Sequence, residues 1–287
     1  MIRIVLKGVT KKYGDVRAIS GITTDISQPG IYGIVGENGS GKTTLLKIMN
    51  GLVSPNSGSR EYFDPSGRIP LMGALAHISS LIEVPRFNSD IRGTDLIRLA
   101  ESVTGSADPK HIEGLIARLQ IKSFIDRKVS HYSRGMLQRL LLAHALVAKP
   151  EVIILDEPTS GLDPGSKSVF MREVLNQKES GKTIIMTSHD VWEIETICDY
   201  ATGMSEGKLL FEWMPLKDKD MVYSGNRDNI FSKNNITQND TVSDGLISLN
   251  VCDIATAKNL NSKKFDFLRV GSSFPLRYLK FFNDEPK

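Results

Sequence analysis

Residues 36–43 read Gly36-Glu37-Asn38-Gly39-Ser40-Gly41-Lys42-Thr43, a G-x-x-x-x-G-K-T run. Its glycines allow the backbone to curl so that successive N–H groups converge on phosphate oxygens. Upstream, Pro29-Gly30 makes a turn and Ile31–Val35 is an apolar run. Downstream, Lys42–Asn50 has helical spacing, with Leu45, Leu46 and Met49 on one face. A strand, a glycine loop and a helix are the context this motif requires, and they disfavour an ordinary glycine turn. The helix start at Lys42 adds a positive dipole end. Lys42 is expected to bridge the β- and γ-phosphates and the Thr43 hydroxyl to ligate Mg2+. The rest of the loop and Thr44 complete the expected nucleotide contacts.

Outward from this unit, Ile2–Leu6 and Ala18–Ile26 read as strands, with Tyr13-Gly14-Asp15 as the turn region between them. Val152–Leu155 is a continuous apolar strand, expected to be buried on both faces. Residues 166–177 read as a helix, 183–187 as a strand and 191–197 as a helix. Such alternation predicts an α/β fold with a mostly parallel sheet and helices on its faces. Between them, about 77–148 reads as largely helical. Leu96, Leu99, Ala100 and Val103 are expected on one face of one helix, and Ile112, Leu115, Ile116 and Leu119 on one face of another. After residue 215 the composition shifts toward Asn, Asp, Lys and Ser. Alternation returns in Leu246–Val251 and Phe265–Val270. Residues 1–215 are therefore expected to form the main domain and 216–287 a small α/β appendage.

The chain has 287 residues and a formal net charge of +3, so no strongly basic face points to nucleic acid. Cys198 and Cys252 are far apart, with no Cys/His cluster, and read as free thiols. The opening MIRIVLKGVTKKYG is too short in apolar residues for a signal peptide, and no run approaches the roughly 18 apolar residues that span a bilayer. Any membrane-spanning part is expected from another chain.

The strand Val152–Leu155 ends in Asp156-Glu157. Open α/β sheets bind ligands at the carboxyl ends of their strands, beside the phosphate loop. Asp156 there can hold Mg2+ directly or through water. Glu157, expected to point the opposite way by strand alternation, can orient and deprotonate an attacking water. Alone, the pair could equally be an acidic strand cap before Pro158.

These motifs continue in a definite order. Tyr132-Ser133-Arg134-Gly135-Met136 precedes Gln138-Arg139 and an apolar helix, then Leu155-Asp156-Glu157-Pro158-Thr159, then Ser160-Gly161-Leu162-Asp163, then Ser188-His189. Across residues 2–212 the chain resembles the ATP-binding-cassette (ABC) family, within it the ABC-2-type, antibiotic-efflux-like group. The resemblance implies a P-loop NTPase cassette: a RecA-like mixed-sheet core, an antiparallel β subdomain and a helical subdomain at about 77–148. Residues 132–136 stand where the family has its signature, 160–163 where it has its D-loop, and 188–189 where it has its H-loop. Ser133 suits an N-cap for the helix that follows. By resemblance Ser133, Gly135 and Met136 close on the γ-phosphate held by a partner cassette. Tyr13 stacks on adenine, and His189 contacts the γ-phosphate.

Two positions depart from the family pattern. Glu83, in Leu81-Ile82-Glu83-Val84-Pro85, stands in place of the Q-loop glutamine and is expected to ligate Mg2+ and sense Mg-ATP; the alternative is a solvated loop acid. Arg134 replaces the first signature glycine. It is read as pointing to solvent or toward a membrane partner, with stabilisation of the partner's γ-phosphate as the other option.

The resemblance implies an ATP-hydrolysing motor subunit that pairs with a second cassette, identical or not. It would drive transmembrane permease subunits, in efflux, from the cytoplasmic side of the membrane. Residues 83–98 are expected to dock the membrane subunit. A soluble ABC ATPase of nucleic-acid or ribosome type is the competing class. A single cassette argues against it, as does the short interval between Thr43 and Ser133, and no nucleic-acid partner is expected.

Overall fold

The first strand, β1 (Arg3–Tyr13), hairpins into β2 (Val16–Ile26). Strand β3 (Gly30–Val35) follows, then helix α1 (Lys42–Met49), β4 (Ser57–Asp64), β5 (Gly67–Ile69), the short α2 (Leu71–Leu75) and β6 (Ile78–Leu81). A helical stretch holds α3 (Gly93–Thr104), α4 (Pro109–Arg118) and α5 (Arg134–Val147). The chain returns through β7 (Val152–Leu155), α6 (Pro164–Glu179), β8 (Thr183–Ser188), α7 (Val191–Ile197), β9 (Tyr200–Ser205), β10 (Lys208–Leu209) and β11 (Met214–Pro215). This computed structural model describes residues 1–83, 90–105, 108–210, 213–215, 220–224, 241–243, 246–250 and 266–271.

Two sheets organise these elements. An antiparallel sheet runs β2-β1-β4-β5. The central sheet runs β10-β9-β3-β8-β7-β6. Its β9, β3, β8, β7 and β6 are parallel, and β10 and β11 pair antiparallel with β9. The expected mixed sheet, antiparallel subdomain and helical region are all present.

Side chains alternate across each central strand, and both faces are covered. Ile31, Val35, Ile153, Leu155, Ile184 and Met186 pack on the face bearing α3–α7. Tyr32, Ile34, Val152, Ile154 and Ile185 pack on the other, against α1 and the antiparallel sheet. A strand covered on both faces cannot alternate polar with apolar, which is why 31–35 and 152–155 read as unbroken apolar runs.

Helix α3 differs from its expected face. It buries Gly93, Leu96, Ile97 and Ala100, whereas Leu99 is 52% and Val103 77% exposed. The buried arc is centred between Leu96 and Ile97, which puts Leu99 at its flank. Val103 lies in the last turn, beyond the core. In α4, Ile112 and Leu115 are buried together with Leu119, and Ile116 is partly buried, as the spacing predicts.

Beyond residue 215, β12 (Asp220–Ser224), β13 (Thr241–Ser243), β14 (Leu246–Asn250) and β15 (Asp266–Gly271) form an antiparallel sheet in the order β13-β14-β12-β15. The helical half of the α/β expectation has no counterpart among the described residues. Cys252 lies outside them, as do Val84, Pro85 and the rest of 84–89, which form part of the expected docking segment. No described helix is long and apolar enough to cross a membrane.

Candidate active site

Strand β3 delivers the chain into the glycine loop at the edge of the central sheet. Gly36 is packed so tightly that a Cβ there would lie 2.3 Å from the Met204 carbonyl oxygen. Gly41 has φ +105, and a Cβ would meet the Ala18 carbonyl at 2.4 Å. Only glycine fits either position. The loop is pinned by the Gly207 N–H donating to the Ser40 carbonyl at 2.9 Å. Glu37, Asn38 and Gly39 lie exposed on its outer side, and Thr43 and Thr44 are half-buried in the first turn of α1.

Lys42 is 5% exposed. Its ammonium donates to the Gly36 carbonyl at 2.7 Å and the Glu37 carbonyl at 3.1 Å. It also lies 3.2 Å from Glu157 Oε1. The cation is thus held on the inside of the loop, facing the carboxylates at the end of β7.

Asp156 and Thr43 meet directly: the Thr43 hydroxyl donates to Asp156 Oδ2 at 2.5 Å. Thr187, on β8, donates its hydroxyl to Asp156 Oδ1 at 2.6 Å and accepts the Glu157 N–H at 2.9 Å. Thr187 is fully buried, and the sequence reading did not single it out. A hydroxyl near a strand end has no local signature; only strand pairing puts it beside residues 156 and 157.

Glu157 corrects the alternation argument. Strand β7 stops at Leu155, and Glu157 takes φ +42, a left-handed backbone that costs a non-glycine residue of order 1 kcal/mol or more. That bend turns its side chain toward the loop, with Oε1 on Lys42 and Oε2 3.4 Å from His189 Nδ1. Both carboxylates therefore serve the same edge, rather than opposite faces. His189 is 59% exposed.

The remaining predicted residues lie in three separate places. Ser133 caps α5, its hydroxyl accepting the Met136 N–H at 3.2 Å. Gly135 abuts α6, where a Cβ would come 2.3 Å from Ser166 Oγ. Arg134 is exposed, yet its guanidinium lies along the chain's own 160–163 loop: a Cβ at Gly161 would sit 2.8 Å from Arg134 Nη1. Residues 133–136 and 160–163 thus share one surface. Among the described residues, no hydrogen bond or ion pair joins 133–136 to the glycine loop. Tyr13, half exposed at the β1–β2 hairpin, has the Lys11 ammonium 5.3 Å from its ring centre. Glu83 is 71% exposed and paired to Lys47, one helical turn beyond Thr43, and is outside the Thr43–Asp156 pair.

The donors fit a bound polyphosphate. Ser40 Oγ, inside the loop, is a buried polar atom with no hydrogen-bond partner among the described residues. Loop N–H groups and the α1 N-terminus supply positive potential. The Thr43 hydroxyl and Asp156 carboxylate are hard oxygen donors suited to Mg2+ shared with phosphate oxygens.

Comparison with known proteins shows the family. Residues 19–160 match the family model described as "ABC transporter". The chain is 35% identical over 207 residues to the bacitracin transport ATP-binding protein BcrA of Bacillus licheniformis, covering 71% of this chain and 67% of that protein. It is 33% identical over 207 residues to the lantibiotic transport ATP-binding protein SrtF of Streptococcus pyogenes, covering 72% and 89%. Its fold is similar to that of a dimeric ATP-binding cassette solved in a post-hydrolysis state with ADP and Pi. The TM-score is 0.63 at 21% identity, over 74% of this chain and 98% of that one.

Proposed function

As the chain belongs to the ABC transporter family, we propose that it is the ATP-binding and ATP-hydrolysing motor subunit of an exporter. It pairs with a second cassette around Mg-ATP and drives separate permease subunits from the inner face of the membrane. The observation that carries this reading is the convergence of Lys42, Thr43, Asp156, Glu157 and His189 at one edge of the central sheet. Transport relatives support the export half.

The glycine loop binds the phosphates through its N–H groups, and Lys42 offers its charge to the β- and γ-phosphates. Thr43 and Asp156 would hold Mg2+, which when bound neutralises charge on the phosphate oxygens. Glu157 orients a water and accepts its proton. His189 lies close enough to Glu157 to steady that carboxylate and to face the γ-phosphate. Tyr13 offers a ring to adenine. Ser133, Gly135 and Met136 close the corresponding site of the partner cassette, and Glu83 reports Mg-ATP toward the helical region.

The test is ATP turnover by the purified chain, and by the chain reconstituted with its permease subunits. Turnover in the wild type and its loss in Lys42→Ala is the expected result. Normal hydrolysis by Lys42→Ala would overturn the reading.

A further inference from the structure

We infer that Glu193 is a positioning residue that holds the loops carrying Glu157 and His189 at a fixed separation. This rests on the proposed hydrolytic roles of those two side chains.

The Glu193 carboxylate is 5% exposed and both of its oxygens are engaged. Oε1 accepts the Thr159 hydroxyl at 2.5 Å and lies 3.0 Å from Lys167 Nζ. Oε2 accepts the Ser188 hydroxyl at 2.6 Å. Thr159 is two residues beyond Glu157, and Ser188 directly precedes His189. Lys167 belongs to α6 and Glu193 to α7. One buried carboxylate therefore joins the β7–α6 turn, the end of β8 and two helices.

The other side of His189 is tied to the same place. The Asp190 N–H donates to Ser188 Oγ, and Asp190 Oδ1 accepts the N–H groups of Trp192 and Glu193. His189 itself is largely exposed, and Glu157 is its one ion-pair partner among the described residues. A cavity of about 260 Å³, lined in part by Glu157, Lys167, His189 and Glu193, opens beside it. Side-chain packing does not locate the imidazole, so its backbone anchors must. Those anchors meet at Glu193. The strained Glu157 backbone also needs a turn that is held from both ends, by Thr187 on one side and by Thr159 on the other.

Removing the carboxylate leaves two buried hydroxyls and a lysine without their acceptor. A glutamine keeps the shape and one acceptor, and both hydroxyls can rotate to suit its amide. The experiment measures kcat, KM for ATP, the pH profile of kcat, and the fraction of nucleotide-binding sites, in wild type, Glu193→Ala, Glu193→Gln and Glu157→Gln. For Glu193→Ala the expected kcat per binding site falls about 30- to 100-fold, with KM within threefold. Glu193→Gln should recover to within about tenfold of wild type. A kcat per site within twofold of wild type in Glu193→Ala overturns the proposal, as does a loss confined to the fraction of sites. If Glu193→Ala does not fold, Thr159→Val and Ser188→Ala each cut one anchor, and unchanged kcat in both overturns it equally. Undiminished turnover in Glu157→Gln would instead sink the underlying assignment of the base.

Discussion

Lys42 Nζ lies 3.2 Å from Glu157 Oε1, so the phosphate-loop cation and the proposed base form an ion pair across the edge of the central sheet. On the proposed function, a γ-phosphate at Lys42 would compete with Glu157 for that charge, and nucleotide binding would free the carboxylate toward water.

Glu157→Gln keeps the shape but removes both the base and the competing charge. Turnover should fall about 10²- to 10⁴-fold. Affinity for ATP should hold or rise, because Lys42 no longer has an anionic rival. Steady-state hydrolysis alongside equilibrium nucleotide titration checks both halves.

Thr187→Val is nearly isosteric but deletes the hydroxyl that serves Asp156 and the Glu157 N–H. A buried N–H left unpaired costs about 1–3 kcal/mol. We expect stability to fall by that amount, and the Mg2+ concentration for half-maximal turnover to rise, since Asp156 loses an orienting donor. Denaturant melts and a Mg2+ titration of activity are the measurements.

Arg118, at the end of α4, donates from Nε at 2.8 Å and Nη2 at 3.2 Å to Glu173, whose carboxylate on α6 is fully buried. Among the described residues, only Asn176 and Gln177 would still donate to it in Arg118→Ala. Breaking a fully buried pair costs about 3–5 kcal/mol. Arg118 is 40% exposed, so solvent screening lowers the expected loss to about 2 kcal/mol. Urea unfolding reads this directly. The pair links the helical region to the sheet-packed α6, and the loss should fall on the whole cooperative transition.

His144, half-buried on α5, has its pKa pushed below the ordinary value by burial. The unfolded chain therefore takes up this proton at higher pH than the folded one. Its contribution to stability is whole above the unfolded pKa of about 6.5 and declines as pH falls through and below it. The denaturation midpoint should drop between pH 7.5 and 5.5, and less steeply in His144→Leu.

Local chemistry was legible in the chain where the acting residues are neighbours in sequence. The run from Gly36 to Thr43 carries its own strand, turn and helix start, so its conformation and its anion preference follow from eight adjacent residues. The Val152–Leu155 run announced a strand covered on both faces, and Asp156-Glu157 marked its end. The outer face of α3 was less legible: a periodic apolar row shows that a helix has a buried side, but where the arc is centred depends on what packs against it. Arg134 likewise lay beyond sequence reasoning, because its contact, Gly161, belongs to a loop brought over by α6.

What sequence alone determined is which segments could bind phosphate, hold a cation and move a proton. What tertiary structure decided is that those segments meet. Thr43 and Asp156 are 113 residues apart and share a hydrogen bond because β3, β8 and β7 lie side by side in parallel and end at one edge. The same pairing gives Thr187 its place, and the packing of α7 over the end of β8 gives Glu193 its own, although neither has a distinctive sequence pattern. The positive φ at Glu157 has the same origin: a strained backbone persists only where bonds from distant segments hold it, and no stretch of local sequence contains them.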